Sequence, residues 1–346
     1  EPYRRQRQMC IRDRCCLIFI CICFWIDAYD TQKEEFFMKS FFSSLLGATL
    51  FVILLFFPGL VFEGAKTGLN LWFFTLVPTL LPFMVFSNIL IQSRLIEHLL
   101  FLPGLFTRKY LHLSPAGLYA FLCGFFFGYP SGAKILADLL KTDQIDPKEA
   151  SMLFGFCNNV SPAFLITYFL TLHLKHPEKA GITVSFLYII PAFVCLIAFF
   201  FCGSSFSLRE KKTSSPVLSL ALLDACLQDA LSVLLKLGGY IILFSVLSNV
   251  ITHIPRMRAE SAAFFSCFLE ITGGIPAVTA AFAYPQSYVI LLPFLAFGGL
   301  CSFMQTGSVI KDTPLSLRSY FFTKILLALL IFLCEILCIT LLPGLF

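Results

Sequence analysis

Along the chain, apolar runs of about 20 residues alternate with short polar connections, the pattern of membrane-spanning helices. The runs cover residues 41–62, 69–91, 115–140, 150–172, 182–202, 227–251, 259–284, 289–309 and 320–342. Pro78 and Pro82 predict a kink in the second run, because proline removes a helix hydrogen bond and crowds the preceding turn. The less hydrophobic stretch 92–114 predicts an interfacial helix. Four of the runs are interrupted by turn-forming or polar residues.

The interruptions fall in two kinds. Gly128-Tyr129-Pro130-Ser131-Gly132-Ala133-Lys134 breaks the third run and Gly273-Gly274-Ile275-Pro276 breaks the seventh, so both are read as hairpin turns. Each arm of the first is about a dozen residues, some 18 Å, too short to cross an apolar core of about 30 Å. A re-entrant helical hairpin is therefore expected, turning at Gly128 and Pro130. Ser114-Pro115 supplies an N-cap and first turn for one arm, and Pro130 is expected as first residue of the other. The second hairpin is expected to turn at Gly273, Gly274 and Pro276. Asn158-Asn159-Val160-Ser161-Pro162 and Gly298-Gly299-Leu300-Cys301-Ser302-Phe303-Met304-Gln305 interrupt the fourth and eighth runs, predicting two broken helices. Asp146-Pro147-Lys148-Glu149 is an N-cap signature for the first of these.

Irregular backbone at membrane depth survives only where it lines a cavity or is buried in protein, and paired interruptions mark the binding sites of secondary transporters. The order of elements repeats, so the expected fold is an all-α polytopic membrane protein. It is an inverted repeat with two re-entrant helical hairpins and two broken transmembrane helices. The first repeat is residues 38–203, a polar cytoplasmic linker is 204–217, and the second repeat is 218–346. Met9-Cys10-Ile11-Arg12-Asp13-Arg14 resembles a translated sequencing adapter, so residues 1–37 are read as a non-native leader and Met38 as the natural start. With both hairpins re-entrant, Lys39, Arg94, Arg108, Lys109, Lys141, Lys148, Arg209, Lys211, Lys212, Lys311, Arg318 and Lys324 share one side, assigned to the cytoplasm by the positive-inside rule. Lys66, Lys175, Lys179, Arg256 and Arg258 lie on the other.

Composition agrees with the pattern: 58% of the 346 residues are hydrophobic and 13% charged, about half the charged share of a soluble domain. The net charge of +5 is dispersed over loops, which excludes the basic patch that nucleic acid needs. The 14 cysteines lack the paired spacing of a zinc site and read as small apolar residues, so no metal or organic cofactor is expected. Gly128-Tyr129-Pro130-Ser131-Gly132 is not a nucleophile elbow, and His98, His112, His173, His176 and His253 fall in loops or at helix ends, which argues against an intramembrane enzyme.

The candidate chemistry lies at the interruptions. Ser131, Gly132 and Lys134 open a helix whose free N–H groups and positive dipole end suit an anion. A structural Lys134–Asp138 pair at i,i+4 is the alternative. Asn158, Asn159 and Ser161 line the same expected cavity, or else bond between helices as packing glue. Glu270 and Thr272 stand beside the second turn, with Glu270 read as the holder of a coupling cation or proton, or as the partner of Lys134. Ser302, Gln305 and Thr306 are the matching polar set in the second broken helix.

Gly128-Tyr129-Pro130-Ser131-Gly132-Ala133-Lys134, Asp138-Leu139-Leu140 and Phe156-Cys157-Asn158-Asn159-Val160-Ser161-Pro162 resemble the sporulation integral membrane protein YlbJ family. Leu269-Glu270-Ile271-Thr272-Gly273-Gly274 and the stretch from Phe297 to Gln305 match it as well, and the resemblance covers residues 38–346. That family carries a nucleoside-recognition (Gate) domain and is similar in fold to concentrative nucleoside transporters. The resemblance implies a multi-pass transporter in the cytoplasmic or outer forespore membrane, moving a small anionic solute, dipicolinate first, by alternating access. Its partners would be that solute, the lipid bilayer and, by analogy, further copies of the chain. A nucleoside transporter of the same fold and a non-transporting sporulation assembly factor are the alternatives.

Overall fold

The computed structural model describes residues 47–48, 51–52, 55–93, 95–100, 104, 107, 113–202, 219–254 and 256–341. The chain divides into two units, Glu1–Phe62 and Glu63–Phe346. The expected leader, part of the first run and the linker lie outside the described residues. In the second unit all described regular structure is helical.

The described helices are α1 (Pro58–Gln92), α2 (Pro115–Phe126), α3 (Ser131–Lys141), α4 (Pro147–Phe154), α5 (Phe164–Leu174) and α6 (Pro177–Phe201). They continue with α7 (Leu220–Thr252), α8 (Ala259–Leu269), α9 (Ile271–Ala281), α10 (Gln286–Phe297), α11 (Gly299–Val309) and α12 (Leu317–Leu341). A four-residue helix, Ile96–Leu99, sits in the expected interfacial stretch. Five stretches are long and apolar enough to cross a membrane: α1, α6, α7, α10 joined to α11, and α12. The sequence of long helix, short helical pair, broken helix and long helix occurs twice, as α1–α6 and α7–α12.

Local chemistry accounts for most boundaries. Ser114 caps α2 by accepting the Gly117 N–H at 3.0 Å, and Asp146 caps α4 through the Lys148 N–H at 2.8 Å. Glu149, at the third position of α4, reaches across to the Ser114 N–H of α2 at 2.8 Å, tying the two helices at their ends. Ser161 accepts the Phe164 N–H at 3.3 Å where the first broken helix resumes. A π-helical stretch, Trp72–Leu76, ends just before Pro78, in the region where the two prolines predict a kink.

Three boundary expectations change. α1 runs unbroken through the polar residues 63–68, where a connection was expected: Gly64 and Gly68 lie against the α7 backbone, and Thr67 bonds back to the Glu63 carbonyl at 3.0 Å. Pro130 caps α3 from outside instead of opening it. The second hairpin turns at Glu270, not at Gly273, Gly274 and Pro276, which lie inside α9.

Two apolar clusters bracket the polar centre. One joins α1, α2, α3, α4 and α7 through residues such as Met84, Ala120, Leu136, Leu153 and Leu234. The other joins α5, α6, α9, α10 and α12 through Phe169, Leu187, Ile275, Leu292 and Ile331.

Candidate functional site

The tip of the first hairpin touches both helix breaks. Gly128 has φ +80, which only glycine adopts at little cost, and its Cα faces Ser161 in the break between α4 and α5. Tyr129 next to it reaches the other break: its hydroxyl donates to the Ala296 carbonyl at 3.0 Å, at the end of α10. There Gly298 (φ +87) separates α10 from α11, whose first residue, Gly299, also has a positive φ (+78). Lower in the hairpin, the Cys157 carbonyl lies on both Gly124 and Gly132, leaving no room for a Cβ on either arm. Gly132 is thus a packing residue that lets broken helix and hairpin approach.

The two Asn of the first break are engaged. Asn158 Nδ2 donates to Thr306 Oγ1 at 2.9 Å and to the Tyr320 hydroxyl at 3.0 Å, while its Oδ1, buried, has no partner. Asn159 Nδ2 donates to the Phe156 carbonyl at 2.7 Å. Thr306 donates to the Ser302 carbonyl at 2.7 Å, so the first break is wired to α11. Ser302 itself bonds back to the Gly298 carbonyl at 2.7 Å, and Gln305 to Cys301 Sγ at 3.4 Å.

Lys324 sits at this junction. Its ammonium donates to the Asn158 carbonyl and, at 3.1 Å, to Asn159 Oδ1. It lies 5.1 Å from the centre of the Tyr129 ring and 5.8 Å from that of Tyr320, both favourable for a cation. Lys324 is only 1% exposed, and among the described residues no carboxylate pairs with it. It was expected among the cytoplasmic loop charges; it lies instead about two turns inside α12. The break frees the Asn158 carbonyl, and the Lys324 ammonium occupies it.

Lys134 is satisfied differently. Its ammonium pairs with Asp138 Oδ2 at 2.5 Å and Asp229 Oδ2 at 2.8 Å. Asn88 Nδ2 adds a 2.8 Å bond to the same Asp229 oxygen. The expected i,i+4 pair exists, and α7 brings a second acid. The cluster ties hairpin, α1 and α7 together and carries one excess negative charge, so Lys134 offers no unbalanced positive charge to an anion. Ser131, one turn before it, is buried with its Oγ unpartnered.

In the second hairpin Glu270 caps α9, its two carboxylate oxygens accepting the Thr272 N–H at 2.8 Å and the Gly273 N–H at 2.6 Å. It does not pair with Lys134. Pro276 survives within α9 because its missing N–H would have bonded the Thr272 carbonyl, which receives the Tyr168 hydroxyl at 2.8 Å instead. Gly274 is required by contact with Cys267 on the facing arm.

Geometry therefore gathers Tyr129, Asn158, Asn159, Thr306, Tyr320 and Lys324 at one centre, keeps Ser161 at its edge, and holds Lys134 in a separate cluster. Asp229, Tyr129, Tyr320 and Lys324 were not read as site residues. Asp229 and Lys324 carried a usable signal, since each is a charge within an apolar run.

Residues 73–175 match the Gate family, described as nucleoside recognition. The sporulation integral membrane protein YlbJ of Bacillus subtilis (strain 168) is 26% identical over 306 residues, covering 78% of this chain and 75% of the relative. No solved structure matches. The matched family region contains α2 to α5, hence the first hairpin and the first break. With its five membrane-length apolar stretches, the chain is a multi-pass integral membrane protein, similar to YlbJ over about three quarters of its length and carrying a region that matches the Gate model.

Proposed function

We propose that this protein carries a small anionic solute, dipicolinate first, across its membrane by alternating access. The observation that carries the reading is Lys324: a buried ammonium, balanced by no carboxylate among the described residues, at the meeting point of hairpin tip and broken helices. A lone charge at membrane depth is costly and marks a substrate or ion pathway. Asn158 Oδ1, buried without a donor beside it, is a second group left for a ligand. Short hairpin arms of 11 and 12 residues favour re-entrance from opposite faces, as an inverted repeat requires. The relative's name supports a role in sporulation.

Uptake of labelled dipicolinate into proteoliposomes, with uridine in parallel, tests this. Wild type is expected to take up dipicolinate, and Lys324→Met to lose about a hundredfold in rate, as removal of a charge-assisted anchor does, while eluting as folded protein. Uridine uptake alone would assign the site to nucleosides, as the Gate description suggests. Movement of neither by folded wild type would overturn transport and favour an assembly role.

A further inference from the structure

α12 carries a second unbalanced charge-bearing side chain. Glu335 follows Lys324 by eleven residues, about three full turns, so both stand on one face of the helix roughly 16 Å apart. Glu335 is 0% exposed, and neither carboxyl oxygen has a hydrogen-bond partner. Its surroundings are apolar: Ile331, Cys334 and Cys338 of the same helix belong to the cluster formed with Leu291, Leu292 and Leu295 of α10. From α10, Tyr288 lies within electrostatic reach of Glu335, and its hydroxyl is shared with Thr183 Oγ1 of α6 at 2.9 Å. Tyr284, two residues before α10, is the titratable group beside Tyr288, their ring centres 6.4 Å apart. Tyr188 of α6 donates its hydroxyl to the Val160 carbonyl at 2.6 Å. α11 presents Thr306 to the Lys324 end of α12, through Asn158 and Tyr320. Among the described residues no cation pairs with Glu335.

An ionised carboxylate with both oxygens undonated, in an apolar interior, is among the least favourable arrangements available, whereas the neutral acid fits it. A carboxyl group that is neutral when enclosed and releases its proton when wetted has the property of a proton carrier. We propose that Glu335 is the proton-binding site of this transporter, moving one proton in the same direction as the anion. On the side where the α10–α12 seam opens to water, the carboxylate takes a proton from hydronium and leaves water; on the other side the acid returns it to water. Anion and proton would then occupy opposite ends of one helix face, Lys324 and Glu335. This rests on the transport reading above.

The test compares wild type with Glu335→Gln, which keeps the shape of the neutral acid. In proteoliposomes loaded with a pH-sensitive dye, an inward gradient of about one pH unit should sustain about tenfold dipicolinate accumulation in wild type, with internal acidification. Glu335→Gln should retain dipicolinate-for-dipicolinate exchange yet lose both accumulation and acidification. Acidification by Glu335→Gln equal to wild type would overturn the assignment. If wild type moves no dipicolinate, the transport reading falls and infrared spectroscopy decides the proton separately. A carbonyl band of un-ionised carboxylic acid, present in wild type at neutral pH and lost in Glu335→Gln, upholds it; no such band in wild type overturns it. Should Glu335→Gln fail to fold, Glu335→Asp serves in its place, with a shifted band expected.

Discussion

The two hairpins have arms of nearly equal length, 12 and 11 residues against 11 and 11, and are closed in opposite ways. The first turns on backbone freedom, at Gly128 and Pro130, and buries a cation, Lys134, that two side-chain carboxylates neutralise. The second turns on a side chain, Glu270, whose negative charge is taken by the backbone N–H groups of the helix it starts. In the first the charge binds the hairpin outward, to α1 and α7. In the second it is satisfied within the hairpin, whose side-chain hydrogen bonds to the rest include neutral hydroxyls, Tyr168 on the Thr272 carbonyl and Ser248 with Ser266. The same architectural unit is thus anchored by long-range ion pairs in one half and by local capping in the other.

Removing each anchor should separate the two designs. Lys134→Met leaves Asp138 and Asp229 facing one another without a cation, and is expected to cost about 3 kcal/mol of stability. Thermal unfolding in detergent would show it, and adding Asp138→Asn should recover part of the loss. Glu270→Ala removes a charged cap and should cost about 1–2 kcal/mol, measured the same way, with no rescue from any change at α1 or α7. A rescue there would erase the contrast between the hairpins. Tyr168→Phe exposes the Thr272 carbonyl beneath Pro276 and should cost about 1 kcal/mol. Its effect should vanish in a Pro276→Ala background, where a restored N–H satisfies that carbonyl.

The first hairpin is legible in the sequence because its signals are local: a Ser-Pro cap, a Gly-x-Pro break and an apolar run on each side. The second turn lies three residues before the place its sequence suggests, because Gly-Gly-Ile-Pro has the composition of a turn. Only tertiary contacts reveal that Gly274 is there for Cys267 and that Pro276 leans on Tyr168. The first helix break is readable from Asn158 to Pro162, including the cap by Ser161. The identity of the cation at that break is not. Lys134 stands inside a conspicuous motif, whereas Lys324 lies close enough to the start of an apolar run to pass for a loop charge. Charge balance is a property of partners brought from 95 residues away, as for Lys134 and Asp229, and no local pattern encodes it.

The π-helical stretch in α1 has a consequence for how that helix keeps time. Gly64, Gly68, Trp72, Leu76, Leu80, Met84 and Asn88 recur every fourth residue. Gly64, Gly68 and Trp72 rest on α7, and Asn88 bonds to it, while Leu76, Leu80 and Met84 sit in clusters that α7 shares. In an unbroken α-helix each fourth residue lands about 40° beyond a full turn, so six such steps would swing the row by roughly 240°. The extra residue in the wider turn at 72–76 works as a leap day does in a calendar, absorbing part of the accumulated drift. The row facing α7 is consequently written in the sequence at intervals of four, and a reader counting at 3.6 loses it midway.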